Sequence, residues 1–150
     1  MTGAMSREEA ETRHRESIGY TAVLGDPKKP HCFLEASLRG VGFVSYFDEH
    51  TRPYISYGFM DSEERSGLLF LSSVIQWEYA PGTSMEVTHA VSYRFFEDGK
   101  VSTMESDVPK KVNTVTEGRA DLSDHFVRIP AFGEYGDFVR RREVRLISRA

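Results

Sequence analysis

From Leu68 to Glu117 nearly every residue suits a pleated surface, and the run is punctuated by clusters of turn-forming residues. The strongest are Ala80-Pro81-Gly82-Thr83 and Glu97-Asp98-Gly99-Lys100. Asp-Gly between apolar strands predicts a tight hairpin whose two central residues both take positive φ. Leu68 to Tyr79 is the most apolar stretch, which places it as a central strand. Met85 to Phe96 pairs with it and alternates: Val87, His89, Val91, Tyr93 and Phe95 face one way, and Thr88, Ala90, Ser92 and Arg94 the other. The chain is therefore predicted to be mainly β (α+β), an antiparallel meander.

Further elements follow from local signals. Ser6-Arg7-Glu8-Glu9 is a capping box, and Glu9/Arg13 and Glu11/Arg15 stand four apart in the favourable order, so a helix is predicted over about residues 7–18. Gly25-Asp26-Pro27-Lys28-Lys29-Pro30 reads as a loop, because proline removes a donor and biases its predecessor away from helix. Strands are predicted at about 31–38, 41–47, 53–60, 101–107 and 112–117, from their β-branched and aromatic content. Arg39-Gly40 reads as a turn, residues 121–135 as irregular, and residues 138–147 as a last strand. This many strands with one N-terminal helix implies a strongly bent sheet or partly closed barrel.

At 150 residues the chain is long enough for one domain with its own core, read over residues 6–150. Residues 1–5 read as a leader or a disordered start. The single cysteine, Cys32, excludes an intramolecular disulfide framework and fits a reducing compartment. No apolar stretch reaches the roughly 20 residues of a membrane helix, and the charged start lacks a signal-peptide core. The expectation is a cytoplasmic protein with no membrane partner.

The net charge of −4 is unevenly distributed. Residues 138–150 hold five arginines against Glu143, a net +4, which leaves −8 on the preceding 137 residues. An acidic body favours basic partners and disfavours nucleic acid. The arginines of the tail alternate with Val139, Val144, Leu146 and Ile147 and read as the solvated face of the terminal strand.

Motifs for catalysis are missing. The five histidines are scattered, without H-E-x-x-H or Cys-x-x-Cys, so neither metal nor cofactor is expected. G-x-S-x-G, G-x-x-x-x-G-K-[ST] and G-x-G-x-x-G are absent. Cys32 on an apolar strand reads as packing material. The acidic loops, with Asp48 and Glu49 in one and Asp61, Glu63 and Glu64 in another, are candidates for docking a protein partner, since recognition concentrates in loops on a rigid sheet. Trp77 reads as core. Glu78 should point away from Trp77 and Tyr79 and, if it faces a barrel interior, would need a partner such as Arg94.

Three groups of residues carry a resemblance over the C-terminal half. They are Trp77-Glu78-Tyr79, then Tyr93-x-Phe95-Phe96-x-Asp98-Gly99-Lys100-Val101, and then Ile129-Pro130-x-Phe132-Gly133-x-Tyr135 before Val139-Arg140-Arg141. In this order they resemble the immunity proteins, small proteins encoded beside bacterial polymorphic toxins. The resemblance implies a non-catalytic cytoplasmic protein that binds a cognate toxin domain and blocks its active site. A partner interface of about 800 Å² per side, with aromatic anchors inside an acidic rim, is expected on that reading.

A second class stays open. A lipocalin-like or other cup-shaped barrel that binds or isomerises a small hydrophobic molecule would use Tyr57, Trp77, His89 and Tyr93 to line its cavity. Against it stands the absence of an early Gly-x-Trp. Nucleic-acid binding through the arginine tail ranks third.

Overall fold

The computed structural model describes residues 5–16, 19–26, 29–36 and 42–149. Among these, ten antiparallel strands form one sheet that does not close on itself. A helix α1 (Arg7–Arg15) precedes β1 (Tyr20–Asp26), β2 (Lys29–Ala36), β3 (Gly42–Phe47), β4 (Pro53–Asp61), β5 (Leu68–Tyr79), β6 (Val87–Phe95), β7 (Lys100–Asp107), β8 (Val112–Ala120) and β9 (Phe126–Arg128). A one-turn helix α2 (Gly136–Val139) and β10 (Leu146–Arg149) complete the chain. The strands pair in sequence order from β1 to β8, with β10 added beside β8. The meander with an N-terminal helix is thus present, as a bent open sheet.

Sequence patterning explains most of the elements. The Ser6 hydroxyl accepts from the Glu9 amide at 3.1 Å, and Arg13 lies 3.7 Å from Glu9, so the capping box and the first i,i+4 pair both form. The helix ends at Arg15, short of the predicted residue 18. The expected turn at Arg39-Gly40 and most of the N-terminal leader lie outside the described residues.

Five readings are corrected. The Asp98-Gly99 hairpin is not a two-residue turn: only Gly99 has positive φ, at +93°. Phe96 N–H bonds to Lys100 O and Gly99 N–H to Phe96 O, which makes a three-residue loop closed by a left-handed glycine. Residues 20–24, left unassigned by their composition, form β1 against β2, and the loop read over Gly25 to Pro30 is shorter, since Gly25-Asp26 end β1 and Lys29-Pro30 begin β2. The segment 121–135 contains β9, which pairs with Leu68, Leu69 and Phe70. The predicted last strand over 138–147 is α2, an irregular stretch, and then β10.

β5 organises the whole. Its second half lies between β4 and β6, while its first half lies between β4 and β9. Irregular register between Gly58 and Phe59 marks where β4 and β5 bend. The fully buried side chains, Tyr57, Phe59, Leu34, Val44, Val74 and Cys32, come from β2 to β5. Trp77, by contrast, is only half-buried.

The lid on this core is the chain from Ile129 to Arg145. Phe138 packs on Phe59 with ring centroids 4.7 Å apart, and a Cβ on Gly42 would sit only 2.7 Å from the Phe138 ring. Tyr57, 0% exposed, donates its hydroxyl to Arg142 O at 2.8 Å and accepts from Arg142 N–H at 3.1 Å. Arg142 is 5% exposed; its guanidinium lies over the Phe59 ring and donates to the carbonyls of Asp137, Phe138 and Arg140. Those carbonyls are the ones α2 leaves unsatisfied at its C-terminal end. Reading the tail arginines as a solvated face therefore fails at Arg142. Arg140 is solvent-exposed as expected, and is paired there with Asp124 and Asp137.

Replacing Tyr57 by Phe removes one hydroxyl from this junction and leaves a buried N–H and a buried C=O of Arg142 without their partner. Chemical denaturation should show a loss of about 1–3 kcal/mol.

Candidate functional site

The β4–β5 loop and the β6–β7 turn come together because antiparallel pairing sets the start of one strand beside the end of its neighbour. Ser73 is paired with Arg94, so residues just before β5 and just after β6 share one end of the sheet. Between them opens a cleft of about 660 Å³. Its apolar lining is the exposed Met60 and Phe96 and the half-buried Tyr93, backed by the buried Phe70 and Phe95, and its polar lining includes Ser72, Ser73, Ser92 and Arg94. Five carboxylates border it: Asp61, Glu63, Glu64, Glu97 and Asp98.

Glu97 fastens the rim. Its carboxylate accepts from the Ser62 hydroxyl and, at 2.8 Å, from the Glu63 amide. Partial burial pushes the Glu97 pKa up, but these hydrogen bonds, the Glu64 amide and the charge of Arg65 outweigh it and hold the group below the usual carboxylate range. Arg65 is turned aside over the Phe126 ring, its guanidinium carbon 4.0 Å from the centroid. Asp61, Glu63 and Glu64 form no ion pair among the described residues. Arg94, over the Phe96 ring, is the cation within the lining. The cleft is therefore an aromatic floor inside a negative rim.

The five acidic candidates fall into two groups. Asp61, Glu63 and Glu64 border the cleft. Asp48 and Glu49 lie at the opposite end of β4, about 25 Å away at roughly 3.3 Å per residue. Asp48 there serves the loop: it accepts from the His50 and Arg52 amides and pairs with Arg52 Nε at 2.8 Å. Arg52, 8% exposed, also donates to Gly82 O and Ser84 O and lies over Tyr79, so it ties the β3–β4 loop to the β5–β6 loop. Glu49 is exposed, 3.6 Å from His50.

The four ligand candidates do not line one cavity. The Tyr57 hydroxyl is spent on Arg142. Tyr93 lies in the cleft, stacked on Phe95. His89 is opposite Glu78, at 3.7 Å, and strand alternation puts Trp77 on the other face. Alternation likewise separates Glu78 from Arg94, so His89 is its neighbour. Among the described residues no group of three or more His, Cys, Asp or Glu side chains is arranged to hold a metal ion. No helix among them is long and apolar enough to cross a membrane.

Sequence reasoning missed Arg94, Phe96, Glu97 and Asp98 as site residues. The signal was present in the pairing of the two strands, which predicts that the β6–β7 turn and the acidic β4–β5 loop share an edge.

No family of proteins, no curated protein and no solved structure matches this chain.

Beneath the floor of the cleft lies His125, 3% exposed, its ring 4.5 Å from Phe95 and 5.8 Å from Phe70. Its Nδ1–H donates to Leu71 O at 2.9 Å, while Leu71 N–H donates to His125 O at 2.7 Å. Burial lowers the pKa of the imidazole, and the Leu71 hydrogen bond only partly opposes this. The unfolded chain then binds the proton more readily than the folded one. This contribution to stability is complete above the ordinary histidine value of about 6.5 and is lost as pH falls toward the lower folded value. Urea unfolding between about pH 5 and pH 7.5 should show stability falling on acidification, with the slope in that window reduced in His125→Gln.

Proposed function

We propose that this protein is a binding protein whose acidic cleft docks a basic surface of a cognate bacterial toxin domain and occludes it, as the immunity proteins it resembles do. The observation that carries the reading is the union of Asp61, Glu63, Glu64, Glu97 and Asp98 around Tyr93 and Phe96, which line the cleft over the buried Phe95. Aromatic side chains provide contact area with few rotors to immobilise, and a negative rim speeds encounter with a positive partner. The rim is held in place before any partner arrives, because Glu97 clasps the loop that bears Glu63. A partner then loses less freedom on binding than it would against a loose loop.

The test uses the full chain and the toxin domain encoded by the neighbouring gene. The two should co-purify, and the chain should protect cells from the domain. Reversing Asp61, Glu63 and Glu64 together to lysine should slow association about tenfold or more and flatten its salt dependence. Glu49→Lys, at the far end of β4, should leave both unchanged. Equal rates for the triple variant and the parent would remove the cleft from the interface.

A further inference from the structure

The acidic cleft does not end at Phe96. A second hollow, of about 330 Å³, opens beside it and is lined by Phe96 and Asp98 again and by Lys100, Ser102 and Glu117. Phe96 and Asp98 therefore border both spaces.

The ladders place the two hollows in series. Ser73 is paired with Arg94, Arg94 with Ser102, and Ser102 with Glu117. Cross-strand partners project from the same face, so these four residues form one row across β5 to β8. Ser73 and Arg94 belong to the first hollow, and Ser102 and Glu117 to the second. At about 4.8 Å per strand, the midpoints of the β5–β6 and β7–β8 pairs lie about 10 Å apart.

Charge alternates along this row. The first hollow has the rim carboxylates Asp61, Glu63 and Glu64, none of them in an ion pair among the described residues. Arg94 is exposed and likewise without an ion pair there, its guanidinium carbon 5.3 Å from the centroid of the Phe96 ring. In the second hollow Lys100 takes up Asp98 at 3.4 Å, which leaves the exposed Glu117 as the anion without a counter-charge among the described residues. Two negative sites are thus separated by a positive ridge. A cationic group is repelled from the ridge and drawn to either side of it. One cation satisfies one site, whereas two cations at the spacing of the hollows satisfy both.

We propose that the partner engages this face at two points. One cationic side chain enters the cleft against Asp61 and Glu64, and a second, about 10 Å away, meets Glu117 across the Arg94–Phe96 ridge. The inference rests on the cleft being the docking surface, and it makes the partner's recognised chemistry a pair of like charges at a set spacing.

Rigid peptides measure that spacing without the toxin domain. In polyproline II geometry three residues complete one turn and rise about 9.3 Å, so acetyl-Arg-Pro-Pro-Arg-amide presents both guanidinium groups on one side at the required distance. The analogues with one or three prolines turn them to different sides. In low-salt NMR titrations of the full chain, the two-proline peptide should bind about threefold or more tightly than either analogue. Glu117→Gln should remove that advantage and leave the one-proline peptide nearly unaffected. Arg94→Gln should strengthen binding of all three peptides and narrow the difference between them. Equal affinities for the three peptides, an advantage that survives Glu117→Gln, or no binding up to about 10 mM would overturn the proposal. Reversal of Asp61, Glu63 and Glu64 to lysine separates this failure from that of the broader reading. Equal affinities that fall together in that variant would end the two-point arrangement alone, whereas peptides that bind it as well as the parent would remove the cleft itself.

Discussion

The Tyr57 hydroxyl is the point at which the two parts of the molecule are joined. It belongs to the middle of the sheet, yet its hydrogen bonds go to both backbone groups of Arg142, in a stretch with little regular structure of its own. An irregular segment covering a core must find partners for its backbone, because each unpaired buried group costs about 1–3 kcal/mol. Arg142 supplies the partner for three of them. Its guanidinium gathers the loose carbonyls at the end of a one-turn helix while its flat face rests on Phe59. Burial draws its pKa down, yet a guanidinium keeps its charge in proteins. Phe138, carried on the same turn, then reaches the gap left by the absent side chain of Gly42.

The acidic cleft depends on that arrangement indirectly. The first half of β5 leaves β6 and takes β9 as its neighbour, and the space opened by this exchange lies at the same end of the sheet as the cleft. Its floor is supported from below by His125, which precedes β9 and is buried against Phe70 and Phe95. The Asp124–Arg140 pair, one residue away, ties β9 to the covering segment. Floor, rim and lid therefore share one set of contacts.

Much of the fold was legible because strand signals are local. The alternation of Val87 to Phe95, the apolar run of β5 and the capping box at Ser6 all describe residues close in sequence. What could not be read was decided at long range. β9 is three residues long and exists because β5 offers it an edge, which no property of Phe126-Val127-Arg128 announces. Arg142 looks like any tail arginine until Tyr57 and Phe59 are placed beside it. For the cleft, Asp61, Glu63 and Glu64 were identified from charge alone, whereas Glu97 and Asp98 were read only as a turn. Asp48 was grouped with them by composition, although Arg52 claims it for the opposite end of the sheet.

In the middle of β5, Leu69, Phe70 and Ser73 to Gln76 have a neighbouring strand on each side. Opening any amide there means disrupting β4 together with β6 or β9, which approaches complete unfolding. The tips of β7 and β8, far from the covering segment, can fray without disturbing the core. Hydrogen exchange would thus grade the protein from a slow centre at Leu69 to Val74 to a fast periphery around Val108 to Lys111, a stiffness profile set by how many strands each amide must drag along.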